Sequence, residues 1–533
     1  MLLWFRRSAN QAEIKALRDC CGLRRGLTTI APLAIRALGD ARLALAILVL
    51  AILQQSIGHQ NVDNSWLMTI AERVLDGKDP YVDFFEANPP ASYLIYLPAV
   101  ALAKLLGLRV EFTVGLFVFA GGSAAIYLTG VILRRANLLN CAELGFLLNA
   151  ATFITLFIPG LSFAQREHFA IFAIMPILAV HCTRVSAASC RLGYAIPAGL
   201  LAGFAICIKP HFVLSVLSPL AFVLASRRSL RPLFAAENWA ALCICLGYGL
   251  LLHAKHQAYF SLLPMLLDAY VSSTGPAWRL MEWPWITCAL GLVCGVLLIA
   301  IRKQSFPSVV VIPLCAAGGF IVAFFVQGKG FPNHGLPCVI FGLLAACAQA
   351  APAISALRCV GPGAPEWRAL RLPIAFGLIP TCFFVSYIFG VGAQFAAWEE
   401  HAGLKDAILR LALPNPRLIA VSTQFHIGFP VVRQVNGVWV GRSNGLWFMD
   451  AAQSLLAQNP PDKDYSARLR TYVDLDARRL LEDVRAGRPD LILVDPEHQR
   501  TIRALRHPDV AAALEGYAPL DSVEGIWLWV RKP

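Results

Sequence analysis

The chain has 533 residues, of which 57% are hydrophobic, and its mean hydropathy is +0.60. This composition excludes an ordinary soluble protein and indicates a chain that crosses a membrane many times. The net charge of +13 would suit a nucleic-acid-binding protein. Much of the excess, however, falls in short loops between apolar segments, as expected where basic loops stay on the cytoplasmic side. We therefore reject nucleic acid as a partner.

The first 42 residues are rich in arginine and are too long and too charged for a cleaved signal peptide. We predict that residues 1–42 form a cytoplasmic tail, which fixes the N-terminus inside. The first apolar run, residues 43–58, is then a membrane span. It delivers the loop of residues 59–110 to the outer face.

This loop combines carboxylates with an apolar helical face. Residues 64–75 predict an amphipathic helix on the bilayer surface, with four apolar residues on one side: Trp66, Ile70, Val74 and Leu75. Three aromatic residues that follow are predicted anchors at headgroup depth: Tyr81, Phe84 and Phe85. Membrane anchoring is also favoured over lining a sugar site for Trp66, Tyr81, Tyr93 and Tyr96.

A second apolar run, residues 89–108, is long enough to cross the membrane, but charge counting favours a re-entrant or surface helix on the outer face. If it crossed, Arg134 and Arg135 would lie outside, whereas all basic loops fall inside if it does not. The membrane domain, residues 43–393, is thus predicted to contain about 11 spans. After the first span they are residues 111–133, 141–160, 168–183, 193–208, 212–226, 238–256, 283–301, 308–326, 335–352 and 372–393.

The composition changes after the last predicted span. Residues 394–533 are charged and alternate between strand and helix patterns, which predicts a small α/β domain on the outer face. Its predicted strands are residues 418–422, 490–495 and 525–530, and its predicted helix covers residues 475–486. No nucleotide-binding glycine loop is present in this sequence.

Four motifs follow one another in the loop of residues 59–110: Asp63, then AERVLDG, PYVDFF and EANPP. Their order resembles the first extracytoplasmic loop of bacterial GT-C glycosyltransferases, and the resemblance extends over roughly residues 41–340. This superfamily includes protein O-mannosyltransferases, the aminoarabinose lipid A transferase and the oligosaccharyltransferase catalytic subunit. In one departure, Asn88 replaces a lysine that contacts the lipid phosphate in the aminoarabinose branch. Phosphate binding must therefore come from elsewhere.

The resemblance places Asp63 at the catalytic position, where a carboxylate within reach of the acceptor hydroxyl acts as general base. The alternative is that Asp63 or Asn64 only caps the helix. Glu167, in the sequence QREH, matches an acid at the outer start of a later span. It would support Asp63 by holding a divalent metal ion with it or by orienting the acceptor; the alternatives are an ion pair with Arg166 and an interfacial polar turn without a specific role. No other cofactor is expected.

Four basic residues on the same face are candidates for binding phosphate, whose charge they would neutralise: Lys209, His211, Lys329 and His334. Gly328 and Gly330 would let the backbone beside Lys329 approach a ligand. The alternative for the lysines is snorkelling to lipid headgroups. The remaining substrate-binding candidates are Asp83, Glu86, Asn88, Arg166 and His168. For Asp83 and Glu86 a structural role in the loop is favoured.

The resemblance implies a polytopic α-helical enzyme of a bacterial inner membrane, with its C-terminus outside the cytoplasm. Its partners would be a polyprenyl-phosphate sugar donor, membrane lipids and a glycan, lipid or protein acceptor. Two other classes stay open: a transporter or flippase of a lipid-linked or anionic substrate, and a non-catalytic membrane scaffold. A transporter would be expected to show internal repeats with broken helices, and the sequence shows no such repeats.

Overall fold

The computed structural model describes residues 30–359 and 402–532, apart from residues 59, 273, 275, 276 and 303, together with residue 384. Residues 30–359 form a bundle of helices, and residues 402–532 form a five-stranded sheet flanked by helices. Apart from residue 384, the predicted span 372–393 lies outside the described residues, and so do residues 1–29 of the predicted tail.

The helices of the bundle are α1 (Ile30–Ile57), α2 (Val62–Leu75), α3 (Ala91–Leu94), α4 (Leu97–Leu106), α5 (Val110–Arg135), α6 (Cys141–Thr152), α7 (Arg166–Val185), α8 (Leu192–Ile208), α9 (Val213–Arg227), α10 (Ala236–Lys255), α11 (Gln257–Met265), α12 (Ala277–Leu280), α13 (Pro284–Arg302), α14 (Ser308–Gln327) and α15 (Pro332–Cys359).

Six helices in the described part of the chain are long and apolar enough to cross a membrane: Val110–Arg135, Arg166–Val185, Pro210–Arg227, Trp285–Arg302, Ser308–Gln327 and Pro332–Ser355. Helices α1 and α2 meet at an angle of 82° and would count as a seventh span if taken together. Three shorter apolar helices cover Leu97–Leu106, Cys141–Phe157 and Leu192–Ile208. A mostly helical membrane protein is therefore confirmed, and the count of 11 spans stays a prediction.

The apolar run of residues 89–108 is broken into two short helices, α3 and α4. Helix α4 has 10 residues and ends at Gly107, whose φ of 65° is the left-handed conformation that glycine favours. Ten residues extend about 15 Å, roughly half the thickness of the hydrocarbon layer. Neither helix is thus long enough to cross the membrane alone.

Helix α2 forms where the sequence predicts it, but protein covers its apolar face except at Leu75, which is exposed. The residue that caps it is Asn61, whose side chain accepts a hydrogen bond from the Asp63 amide at 2.8 Å. Trp66 is 3% exposed and Ile70 is fully buried. The same holds for the other predicted anchors, since Tyr81, Phe84, Phe85, Tyr93 and Tyr96 are buried in the protein core. Their predicted placement among lipid headgroups is therefore wrong.

The C-terminal sheet has the strand order β2-β1-β3-β5-β4. The strands are β1 (Arg417–Val421), β2 (Val438–Trp439), β3 (Leu491–Val494), β4 (Tyr517–Val523) and β5 (Ile526–Arg531). β1 is parallel to β2 and β3, whereas β5 is antiparallel to β3 and β4. The three predicted strands are confirmed as β1, β3 and β5.

Helices cover this sheet and connect its strands. They are α16 (Ala402–Arg410), α17 (Val431–Gln434), α18 (Trp447–Leu456), α19 (Lys463–Gly487), α20 (Gln499–Leu505) and α21 (Pro508–Leu514). The predicted helix over residues 475–486 is confirmed as part of α19, which begins earlier because Asp462 caps it through the amides of Asp464 and Tyr465. Leu480, Leu481 and Val484 form its buried side, as the pattern predicts.

The sheet domain sits directly on α2 and the turn that follows it, and we call these contacts the junction. The Arg433 guanidinium donates to both carboxylate oxygens of Glu72, at 2.7 and 3.0 Å, and to Glu111 at 2.7 Å. Arg73 donates to the carbonyl of Gly441 at 2.9 Å. Two aromatic pairs complete the junction: Phe85 stacked on Trp447 and Trp66 edge-on to Phe429. Helix α2 is therefore held from both sides, by the bundle and by the sheet domain.

Candidate active site

Asp63 lies in the first turn of α2 and is partly exposed. Its Oδ2 accepts a hydrogen bond from Arg166 Nη2 at 3.1 Å, and its side chain is 33% exposed. Its Oδ1 has no hydrogen-bond partner among the described residues. Because Asn61 is the helix cap, capping does not require the Asp63 carboxylate. One carboxylate oxygen therefore remains free to accept a proton from a bound group.

The segment before α7 is pinned to α2 by buried hydrogen bonds. Asn64 Nδ2 donates to the Phe163 carbonyl at 2.7 Å. The Tyr96 hydroxyl lies 2.7 Å from the Ala164 carbonyl and 3.0 Å from Asn64 Oδ1. These bonds bring the start of α7, and with it Arg166, against Asp63. Asn64 and Tyr96 are themselves buried and thus position Asp63 and Arg166 from within the protein core.

Glu167 is fully buried and pairs with Lys209, not with Arg166 as the alternative interpretation expected. Lys209 Nζ lies 2.5 Å from Glu167 Oε1, 3.0 Å from Gln327 Oε1 and 3.2 Å from His334 Nε2. We call these four residues the buried cluster. A lysine ammonium has three hydrogens, and all three have protein acceptors here in the His334 tautomer that leaves Nε2 without a hydrogen. Contact between Lys209 and a phosphate would require one of these partners to give way.

Buried polar atoms without partners surround this cluster. Among the described residues they include Gln165 Oε1, Arg166 Nε and Nη1, Glu167 Oε2, His211 Nε2, Asn333 Nδ2 and His334 Nδ1. Buried polar groups are normally satisfied, because leaving one without a partner costs free energy. The atoms comprise donors as well as acceptors, so the site offers both to a polar ligand.

The turn of residues 83–88 is held by its own side chains. Glu86 accepts hydrogen bonds from Trp66 Nε1 at 2.7 Å, from the Asn88 amide at 2.9 Å and from the Asn88 side chain. Asp83 is exposed and accepts from the Asp79 amide at 2.8 Å. These bonds fit the structural roles favoured for Asp83 and Glu86, and Asn88 is turned to Glu86.

His168 lies on α7 one residue beyond Glu167 and is fully buried. Its Nδ1 accepts from the Ala164 amide at 3.1 Å, and its Nε2 is 2.6 Å from the Thr155 carbonyl. Both ring nitrogens of His168 are therefore engaged with backbone groups, and a contact with substrate would break one of these hydrogen bonds.

Lys329 lies in the loop between α14 and α15, beside Tyr270. Its ammonium donates to the Tyr270 carbonyl and sits 4.2 Å from the centre of the Tyr270 ring. Burial lowers the pKa of Lys329 to about 8. Burial also raises the pKa of Tyr270 to about 12, and the charges of Arg166 and Asp63 act on the same hydroxyl. Lys329 therefore belongs to the surroundings of the site.

The glycines beside Lys329 have a packing role. Gly328 and Gly330 have φ values of 64° and 71°. A Cβ on Gly328 would lie 2.8 Å from the Thr274 side chain, and one on Gly330 would lie 2.4 Å from Trp283 Nε1. Both the backbone angle and the neighbouring side chains thus require glycine, independently of any ligand.

Gln327, the fourth member of the buried cluster, is the residue that the sequence analysis missed. Its signal is a single amide side chain at the end of the apolar helix α14, directly before GKG. A polar side chain at that depth needs a partner, and Lys209 provides it.

The carboxylates of the site do not fit a metal ion as they are arranged. Asp63 is paired with Arg166 and Glu167 with Lys209, so a cation would have to displace a basic side chain from each. No group of three or more His, Cys, Asp or Glu side chains suited to a metal ion occurs within the described ranges.

The helical bundle, the loop that carries Asp63 and the C-terminal sheet domain together share their fold with a solved structure. The chain resembles ArnT from Cupriavidus metallidurans, solved bound to undecaprenyl phosphate, with a TM-score of 0.55 over 92% of this chain and 97% of that chain at 14% identity. The prediction of a mostly helical membrane fold of this kind is thereby confirmed, whereas the number of spans and the placement of the C-terminal domain outside the cytoplasm stay predictions.

A second structure, the Archaeoglobus fulgidus oligosaccharyltransferase in complex with Zn and sulfate, matches over 91% of this chain and 73% of that chain. The TM-score is 0.42 at 11% identity, which is too low to support an argument. No protein-family model matches the chain, and no curated protein does.

Proposed function

We propose that this protein is a membrane glycosyltransferase that transfers a sugar from a polyprenyl-phosphate donor to an acceptor hydroxyl on the outer face of a bacterial inner membrane. The observation that carries the proposal is Asp63, a carboxylate with one free oxygen beside the buried positive charges of Arg166 and Lys209. The ArnT-like fold supports it, because that relative was solved with undecaprenyl phosphate bound.

In the proposed reaction Asp63 accepts the proton of the acceptor hydroxyl as that oxygen attacks the anomeric carbon. The bond between the anomeric carbon and the phosphate oxygen breaks, and the polyprenyl phosphate leaves with the electron pair. Direct displacement inverts the anomeric centre. A general base of this kind accounts for roughly 10²–10⁴-fold in rate. Glu167 supports the reaction by orienting the acceptor, for which its free Oε2 is available.

The test is direct transfer by the purified full-length protein in lipid nanodiscs. A panel of radiolabelled polyprenyl-phosphate sugars is offered with total envelope glycolipid and glycan as acceptors, and label is followed from donor to acceptor. Analysis of lipid-linked sugars in a deletion strain should show the unused donor accumulating. Donor that binds without transfer to any acceptor, combined with lipid-linked sugar trapped on one face of the membrane in the deletion strain, would favour the transporter instead.

The proposed topology puts the C-terminus outside the cytoplasm. A reporter that is active only outside the cytoplasm, fused after Pro533, should be active, and the same reporter fused after Arg135 at the end of α5 should be inactive. The physical reason is that basic loops are retained on the cytoplasmic side. Activity of the Arg135 fusion with silence of the Pro533 fusion would place the site on the cytoplasmic face.

Lys329 is proposed to neutralise the donor phosphate, and this predicts a pH dependence. Because burial lowers its pKa to about 8, the ammonium is charged at pH 7 and loses its proton as the pH rises through 8. Affinity for undecaprenyl phosphate should therefore fall roughly tenfold between pH 7 and pH 9.5, the loss expected for one charge-assisted hydrogen bond.

Two variants of Lys329 check this interpretation. Lys329→Arg stays charged throughout this range and should bind with little dependence on pH. Lys329→Met should be equally independent of pH but weaker. A wild-type affinity that is constant up to pH 9.5 would show that Lys329 does not contact the phosphate. The companion prediction, that Lys209 also contacts it, stays a prediction.

A further inference from the structure

Arg166 is the first residue of α7 and is only 6% exposed, yet most of its hydrogen-bonding capacity is unused. Nη2 donates to Asp63 Oδ2, whereas Nε and Nη1 have no partner in the part of the chain that the structure describes. Burying charged donors without acceptors is costly. A side chain in this state fits a site whose acceptor arrives with the ligand.

The surroundings of Arg166 favour an anionic acceptor. The amides at the start of a long helix carry positive partial charge, and α7 has 20 residues. Asn333 Nδ2, at the start of α15, is a second buried donor that has no partner among the residues the structure describes. Arg166 and Lys209 balance Asp63 and Glu167 in charge, and Lys329 adds a positive charge beside Tyr270. An incoming phosphate ester supplies a negative charge and several acceptor oxygens.

The neighbouring cation is less suited to this task. The three hydrogens of Lys209 already meet Glu167, Gln327 and His334. Arg166, in contrast, can take a new acceptor at Nε or Nη1 without losing an existing bond. Its guanidinium plane also holds Asp63, so a phosphate bound there would lie within one side chain of the proposed base.

We propose that Arg166 binds the phosphate of the polyprenyl carrier through Nε or Nη1 while Nη2 keeps Asp63 in place. This inference rests on the proposed function and names the residue that recognises its donor. As the sugar leaves, negative charge builds up on the phosphate, and a fixed guanidinium stabilises that charge. Arg166 would thereby fix the distance between the base and the leaving group.

The experiment measures binding of undecaprenyl phosphate, undecaprenol and inorganic phosphate to the full-length protein in nanodiscs. Arg166→Gln should weaken undecaprenyl phosphate binding about 10- to 100-fold, the loss of one or two charge-assisted hydrogen bonds. Undecaprenol binding should not change. The affinity of Arg166→Lys for undecaprenyl phosphate should fall between those of the wild type and Arg166→Gln, because an ammonium keeps the charge but lacks the planar fork of donors.

The control removes an arginine from the other end of the same helix. Arg184 donates to Glu237 at 2.8 and 2.9 Å, and the pair Arg184→Gln with Glu237→Gln leaves no lone buried charge. This double variant should bind undecaprenyl phosphate as the wild type does. A general effect of damage to α7 would weaken binding in the control as well, and would overturn the proposal.

The remaining outcomes separate this proposal from the proposed function. If wild type transfers sugar but Arg166→Gln and Arg166→Lys bind undecaprenyl phosphate normally, the Arg166 assignment fails and the enzyme stands. If wild type binds inorganic phosphate as tightly as the lipid, the site serves free phosphate and the carrier assignment fails. If wild type binds no undecaprenyl phosphate and transfers no sugar, both the Arg166 assignment and the proposed function fail.

Discussion

Asp63→Asn is expected to fold, to bind the lipid donor and to lose roughly 10²–10⁴-fold in turnover, the scale for removal of a positioned general base. An asparagine side chain has the same size and can still accept the bond from Arg166, but its amide cannot take up the acceptor proton. Capping is unaffected, because Asn61 provides it. Single-turnover kinetics with saturating donor measure the chemical step, and donor affinity is measured separately.

The matched control is Asp76→Asn, at the other end of α2. Asp76 is exposed and paired with Lys104 at 2.6 Å, and an exposed pair of this kind contributes little. This variant should turn over like the wild type. Wild-type turnover by a well-folded Asp63→Asn protein would remove the base assignment.

Added chelator tests the metal alternative for Asp63 and Glu167: a loss of activity that a divalent ion restores would show that a metal takes part.

Lys209→Met is expected to destabilise the protein by about 3–5 kcal/mol, because it leaves the Glu167 carboxylate buried without its counter-charge. Combining it with Glu167→Gln removes the lone charge and should restore most of the stability. Turnover should stay low in the double variant, since Glu167 is still missing. Thermal unfolding in nanodiscs reports the first effect and sugar transfer the second.

The donor affinity of the double variant also decides the role of Lys209. Affinity equal to that of wild type would confine Lys209 to holding Glu167, whereas a loss would show that it contacts the phosphate. If Lys209→Met alone unfolds at the wild-type temperature, the ion pair does not stabilise the bundle as the geometry indicates. Gln327→Leu is the control, because it removes a polar member of the buried cluster without leaving a lone charge. It should destabilise the protein less than Lys209→Met does.

The local patterns of the sequence carry much of the fold. Strands β1 and β3 are runs of buried aliphatic residues, and α19 has a clear apolar side, so each was predictable. β2 has only two residues, and β4 contains Pro519 and is largely exposed, so neither shows a strand pattern. Periodicity reveals which side of α2 is apolar but not whether protein or lipid covers it. For this reason the sequence alone places Trp66 wrongly at the membrane surface.

The site was predictable only in part. Asp63 follows from a local motif, whereas the partners of Lys209 are 42, 118 and 125 residues away along the chain. Such pairings depend on how the helices pack, which no local pattern contains. The unused donors of Arg166 were equally hidden, because the sequence shows an arginine next to a glutamate and suggests that they pair.

The junction bears on how this protein could be re-engineered. Arg433 joins Glu72 of α2 and Glu111 of α5 to the sheet domain, and Phe85 and Trp66 are covered by rings from that domain. Removing the domain would leave Glu72 and Glu111 without the Arg433 counter-charge and would expose the rings of Trp66 and Phe85. In a chimera that exchanges the C-terminal part alone, the new sheet domain would not match the junction residues of α2 and the turn that follows it. Any exchange of the sheet domain therefore has to carry α2 and the turn that follows it as well.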